Sequence, residues 1–110
     1  MRYLKRFNES SSDEVIDNLK DICLELTDNG FFYYLNPKSP IEIEIRKGKV
    51  FKWSEIADVV ERLKDYLIPI GYDWKYDARK NDGGHVLFRT DDIWIYTIKF
   101  EKNNEISKNI

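Results

Sequence analysis

Few side chains in this chain are of a type that does acid–base, nucleophilic or metal chemistry. There is one histidine, His85, and one cysteine, Cys23. A lone histidine, with no serine or cysteine at a nucleophile turn, lacks the partner that acid–base catalysis needs. Cys23 falls on an apolar helical stripe, which predicts a small buried hydrophobe rather than a nucleophile. One cysteine forms no disulfide within a chain, and one cysteine plus one histidine exclude the usual four-ligand structural zinc sites. Two carboxylate pairs exist. Asp91 and Asp92 read as a turn and Glu42 and Glu44 as a solvent face, whereas glycoside hydrolysis needs its pair across a cleft. The stretch from Asp77 to His85 holds Gly83-Gly84 beside Arg79 and Lys80. It could cradle an anion, and Asp77 with Asp82 could approach a divalent cation. It matches neither a phosphate-binding loop, a dinucleotide fingerprint nor a calcium loop, so a flexible hairpin connection is the plain reading. The expectation is a protein that is not an enzyme, with no cofactor and no metal.

The elements that would position such residues are clearer. A length of 110 residues suits one domain with one core, and 42% hydrophobic residues suffice to build it. Ser10 to Glu14 looks like a helix start, with Ser11 and Glu14 at capping-box spacing. Val15, Ile16, Leu19, Ile22, Cys23 and Leu26 then form one helical face, and Asn29-Gly30 ends it. A second helix starts near Ser54 and buries Ile56, Val59, Val60, Leu63 and Leu67 before Pro69 and Gly71. Phe31–Leu35, Ile41–Arg46, Tyr72–Asp77, Val86–Arg89 and Ile93–Phe100 read as strands, with Lys47-Gly48-Lys49 a turn and Val50-Phe51 a short continuation. The expected fold is α+β: two amphipathic helices packed on one face of an antiparallel sheet of about five strands. The helix–glycine–aromatic strand–turn–strand order recurs, suggesting an αββ–αββ pseudo-repeat. Residues 1–100 form the single domain, and residues 101–110 read as a frayed polar tail. No apolar run reaches the length of a membrane span. The basic start, residues 1–9, lacks the apolar core of a signal peptide, so the expectation is a cytoplasmic protein.

Strand faces suggest where a partner binds. Ile41–Arg46 and Tyr72–Asp77 alternate apolar with polar, which predicts that Tyr72, Trp74 and Tyr76 face the core. Two strands are apolar on both faces. Phe31, Tyr33 and Leu35 oppose Phe32 and Tyr34, and Ile93 and Ile95 oppose Trp94, Tyr96, Ile98 and Phe100. Such strands are either covered twice or offered to a partner, which marks Phe32, Tyr34, Trp94 and Tyr96 as partner-binding candidates in a homodimer or with another protein. The bland reading has Tyr3, Leu4, Phe7 and the tail covering that face. Residues 10–29 carry six acids and one base. Asp17 and Asp21 on this helix are further candidates for steering a basic partner, although a solvated helix face is the commoner explanation. Residues 36–52 carry five bases and two acids. Lys47, Lys49 and Lys52 lie near Trp53, and Lys75, Arg79 and Lys80 near Trp74 and Tyr76, the mixture of cations and rings that single-stranded nucleic acid requires. The net charge of -2 works against that alternative.

The opening Met1-Arg2-Tyr3-Leu4-Lys5-Arg6-Phe7-Asn8-Glu9-Ser10 resembles the starts of small orphan accessory proteins of tailed bacteriophages. Phe51-Lys52-Trp53-Ser54-Glu55-Ile56 resembles a strand-to-helix junction of the same proteins. The resemblance covers about a tenth of the chain and assigns no functional residues. It implies an accessory protein that binds and blocks a host protein, including components of host defence. The expected function is therefore a non-catalytic protein-interaction module of inhibitor type, with RNA or single-stranded DNA binding as the alternative.

Overall fold

A computed structural model describes the backbone of residues 2–38, 40–88 and 90–102, and the side chains within those ranges from Glu14 onward. The chain runs α1 (Arg2–Asp28), β1 (Phe32–Asn36), β2 (Ile41–Phe51), α2 (Trp53–Leu67), a 3₁₀ turn (Ile68–Ile70), β3 (Tyr72–Arg79) and β4 (Ile93–Lys102). The fold is α+β, with two helices and, among the described residues, a four-stranded antiparallel sheet ordered β1-β2-β4-β3. The αββ unit occurs twice in succession. Its two hairpin partners meet at β2 and β4, leaving β1 and β3 as the sheet edges.

Helix α1 begins eight residues before the expected Ser10 start, at Arg2. No glycine or proline interrupts residues 2–28, so the Ser11 and Glu14 spacing falls inside a helix rather than at its cap. Its end is as expected. The Gly30 N–H donates to the Thr27 carbonyl and the Phe31 N–H to the Leu26 carbonyl, a Schellman closure that needs the φ of 85° Gly30 supplies. Helix α2 starts one residue before Ser54, where the Lys52 N–H donates to the Glu55 carboxylate at 2.9 Å. Lys47 to Lys49 form no separate turn. β2 continues through an irregularity between Arg46 and Phe51.

Ile41, Ile43 and Ile45 are buried and face Phe100, Ile98 and Tyr96 across the β2–β4 ladder. With Leu19, Cys23 and Leu26 of α1 and Ile56, Val59, Val60, Leu63 and Leu67 of α2 they form one core. Each fully buried Ile or Leu contributes about 1.5–3 kcal/mol by leaving water. The helices are also tied to each other. The Asn18 side-chain amide donates to the Tyr66 hydroxyl at 2.8 Å, and Arg62 bridges Glu25 and Asp58.

The expected fifth strand is absent among the described residues. Val86 donates one bond to the Ala78 carbonyl at 2.9 Å, and His85 forms an isolated bridge with Arg79. Beyond that point the Asp91 carboxylate accepts the N–H groups of Leu87 and Phe88, both at 3.1 Å, so these donors are diverted from any ladder. Arg89, the last residue of that expected strand, lies outside the described residues, as do residues 103–110 of the expected tail. Glu101 and Lys102 belong to β4 instead. Tyr3, Leu4 and Phe7, offered as a cover for the sheet, lie where side chains are not described.

Candidate functional site

The loop between β3 and β4 is tied down at three points. The Asp91 carboxylate holds Leu87 and Phe88 by their backbones, while the Asp91 N–H donates to the Phe88 carbonyl at 3.0 Å. Lys52 reaches across to the Thr90 carbonyl and the Asp92 carboxylate, both at 2.8 Å. The Lys80 ammonium stands 4.0 Å from Asp91. Backbone hydrogen bonds from Phe88 and Leu87, aided by the nearby lysines, hold the Asp91 carboxyl below the usual aspartate range. The result is a loop whose backbone is fixed and whose two large apolar side chains point into solvent. Leu87 is 74% exposed and Phe88 67%.

Those side chains form one wall of a groove of about 130 Å³. Trp74 and Tyr76 of β3 form another, stacked with ring centroids 6.1 Å apart. Tyr76 continues the stack onto Tyr96 at 5.6 Å, and Trp53 closes on Tyr96 at 5.5 Å. Tyr96 is the floor. It is 2% exposed, and desolvation, with Tyr76 and Glu61 nearby, pushes its hydroxyl pKa well above the usual tyrosine range. On the helix side stand Glu61 and Lys64, 3.2 Å apart, with the Lys64 ammonium 4.1 Å from the Trp74 ring centroid. The arrangement offers stacking faces, apolar contact and one charge of each sign at the rim. That is recognition chemistry, suited to an apolar or aromatic side chain or a base.

The structure does not bring the expected binding residues together. Phe32 and Tyr34 stand 61% and 63% exposed on β1, away from the groove. Tyr96 is buried in the core and reaches the groove only as its floor, and Trp94 does not share its setting: it is partly buried yet outside the core cluster. The buried positions of β4 are Ile93 and then Tyr96, so strict alternation fails across Trp94 and Ile95, next to the β2 irregularity. Asp17 and Asp21 are exposed on α1. The expected core positions Trp74 and Tyr76 are 37% and 59% exposed, because they sit on an edge strand that α2 barely reaches.

The basic candidates divide as well. Lys47 pairs with Glu55 at 2.7 Å and lies over the Phe31 ring, and Lys52 holds the β3–β4 loop. Arg79 is bonded to Asp77 at 2.9 Å and to the Gly83 carbonyl at 3.1 Å. Lys80 faces Asp91, while Lys49 and Lys75 are exposed. Lys75 lies on the sheet face opposite Trp74. Sequence reasoning missed Leu87, Phe88, Glu61 and Lys64. The available signal was an aspartate three to four residues after an apolar triplet, which reads as a side-chain-capped turn rather than a strand.

Cys23 is fully buried, and desolvation pushes its thiol pKa up to about 12. His85 stands 3.3 Å from Asp77 on the surface. Among the described residues no three His, Cys, Asp or Glu side chains converge to hold a metal, and no helix is long and apolar enough to cross a membrane. No family model matches the chain, and no curated protein or solved structure shows significant similarity to it.

Proposed function

We propose that this domain is a non-catalytic protein-interaction module that binds its partner through the aromatic groove. The observation that carries the reading is Leu87 and Phe88, held out into solvent by a loop whose backbone is anchored on Asp91, beside the rings of Trp53, Trp74, Tyr76 and Tyr96. Exposing two large apolar side chains is unfavourable in an isolated domain and favourable where a partner covers them. In this reading both helices cover the Ile43 and Ile98 face of the sheet, and the opposite face, with Phe32 and Tyr34, stays open as secondary contact area. The phage-type resemblance adds a role: an accessory protein acting in the cytoplasm by stoichiometric binding that blocks a host protein, defence components included. The test is capture from host lysate with and without nuclease, comparing wild type with Phe88→Asp. A nuclease-resistant protein held by wild type and lost by the variant is the expected result. Equal capture by both proteins would refute the groove.

A second reading has one observation in its favour. Trp74 and Tyr76 are stacked and exposed rather than buried, with the Lys64 ammonium alongside, which is a base-stacking platform with a cation. Single-stranded RNA or DNA would then occupy the groove. Binding of a mixed oligonucleotide pool that weakens steeply with salt supports this reading, and no binding at low salt removes it.

A further inference from the structure

We infer that β3 is the interface of a symmetric homodimer, in which two copies pair their β3 strands antiparallel about Trp74 and join two sheets into one of eight strands. The inference does not rest on what occupies the groove.

The backbone comes first. The Ala78 carbonyl accepts the Val86 N–H and the Lys80 N–H donates to the Gly84 carbonyl, so the outer edge of β3 is already paired at 78–80. Because Ala78 points its carbonyl away from β4, alternation directs the N–H and C=O groups of Tyr72, Trp74 and Tyr76 outward too. Among the described residues no backbone bond reaches them. The strand ends cleanly at Gly71, whose φ of 101° turns the chain toward the 3₁₀ segment. The free edge is therefore the stretch from Tyr72 to Asp77. An open strand edge of this kind is a template for another strand.

Charge then chooses both the occupant and the register. Within the chain, Asp73 lies opposite Glu101 and Lys75 opposite Lys99 on β4, two like-charge cross-strand pairs. Among the described residues none of these four side chains makes an ion pair; Glu42 lies opposite Lys99 on its other side but beyond ion-pair distance. Such pairs are unfavourable, and β3 keeps both. Self-pairing centred on Trp74 sets Asp73 of each copy opposite Lys75 of the other, twice by symmetry. It also sets Tyr72 opposite Tyr76 and Trp74 opposite Trp74 on the other face. The outward groups of residues 72, 74 and 76 match each other in this register. Shifting the centre to Lys75 keeps the backbone match but opposes Lys75 to Lys75 and Asp73 to Asp77. Centring on Tyr76 would also oppose unlike charges, Lys75 to Asp77 and Asp73 to Arg79, but it needs the edge at residues 78–80 that is already paired. The Trp74 register is therefore the one that relieves the repulsion within the free edge. An isologous pairing of this sort closes on itself and leaves no free β3 edge for further growth.

Sedimentation equilibrium on four proteins tests this: wild type, Asp73→Lys, Lys75→Asp and the double swap, each checked for native circular dichroism. Both positions are exposed, so the variants keep the core intact. The wild type is expected at twice the 13.2 kDa chain mass at sub-millimolar concentration. Each single swap opposes like charges twice and raises the dissociation constant by about tenfold or more, and the double swap restores it. Mixing the two single swaps yields a one-to-one heterodimer, since one then carries Asp at both positions and the other Lys. A wild type that stays monomeric throughout, or a dimer indifferent to either single swap, overturns the inference. The groove reading survives both results, because it rests on Leu87 and Phe88, which neither swap alters.

Discussion

Replacing Leu87 and Phe88 together by serine separates the two things these side chains could be doing. Complete burial of a Leu or Phe side chain is worth about 1.5–3 kcal/mol. With 74% and 67% of these residues exposed, the domain itself covers a quarter of one and a third of the other. The double variant therefore loses about 1–2 kcal/mol of folding stability, on the same area scale. The rest of both surfaces is available to a partner. Covering it is worth at most about 2–4 kcal/mol, which corresponds to about a thirtyfold to thousandfold loss of affinity when it is removed. Urea unfolding followed by circular dichroism reads the first quantity, and calorimetric titration with the captured partner reads the second. The signature is an affinity loss larger than the stability loss. A stability loss above about 3 kcal/mol, the level of a core truncation, would show that the loop folds back into the domain and would refute the reasoning.

Ile98→Ala supplies the contrast. Ile98 is fully buried at the centre of the sheet opposite Ile43, and its truncation should cost about 2–5 kcal/mol in urea unfolding, while a value under 1 kcal/mol would contradict its position. Acid should act on the groove loop through Asp91 and on the start of α2 through Glu55. Lys47 and the Lys52 N–H bond to Glu55 as Phe88 and Leu87 do to Asp91, so both folded pKa values lie below the ordinary 4.5 and 3.8. A depressed folded pKa stabilises fully above the ordinary value and is lost as pH falls through the folded one. Amide shifts of Leu87 and Phe88 followed by NMR should therefore hold steady down to the ordinary aspartate value and move only below it, and an Asp91→Asn variant should show no such acid step. Cys23, buried with its thiol pushed up to about 12, should resist a disulfide reagent at pH 8 until the domain is unfolded; rapid modification of the folded protein would place it at the surface.

Local patterns were legible wherever one residue type answered one question. The Ile41, Ile43 and Ile45 alternation names the buried face of β2, and the Leu19, Cys23 and Leu26 spacing names the buried face of α1, because each reports a direction that the backbone period alone decides. Direction failed where the period itself broke. Trp94 and Tyr96 are two residues apart, yet the irregularity where β4 meets the end of β2 gives them different surroundings, and nothing in Ile93-Trp94-Ile95-Tyr96 announces it. Val86-Leu87-Phe88 has strand composition, but the Asp91 carboxylate outcompetes a neighbouring strand for its N–H groups, and that competition depends on a turn only the folded chain closes. Ser11 and Glu14 fit a helix start and sit inside a helix, because a capping signal is permissive without a breaker before it.

The same limit explains why the groove was not legible in the sequence. Alternation in Tyr72-Asp73-Trp74-Lys75-Tyr76-Asp77 correctly puts the rings on the side of Phe100 and Ile98, but a side is not a cover. Cover depends on strand order. In β1-β2-β4-β3 the central strands take the core, and β3 carries its aromatic face to the margin, where α2 contributes Glu61 and Lys64 instead of an apolar lid. An edge strand whose face is apolar has two exposed resources, its rings and its unpaired backbone. Here they diverge by parity: Trp74 and Tyr76 line the groove, while Asp73 and Lys75 on the opposite face set the pairing register. Substitutions at the odd positions should therefore alter association without touching the groove, and those at Leu87 and Phe88 should alter the groove without touching association. This separation follows from placing an alternating strand at the edge of the sheet.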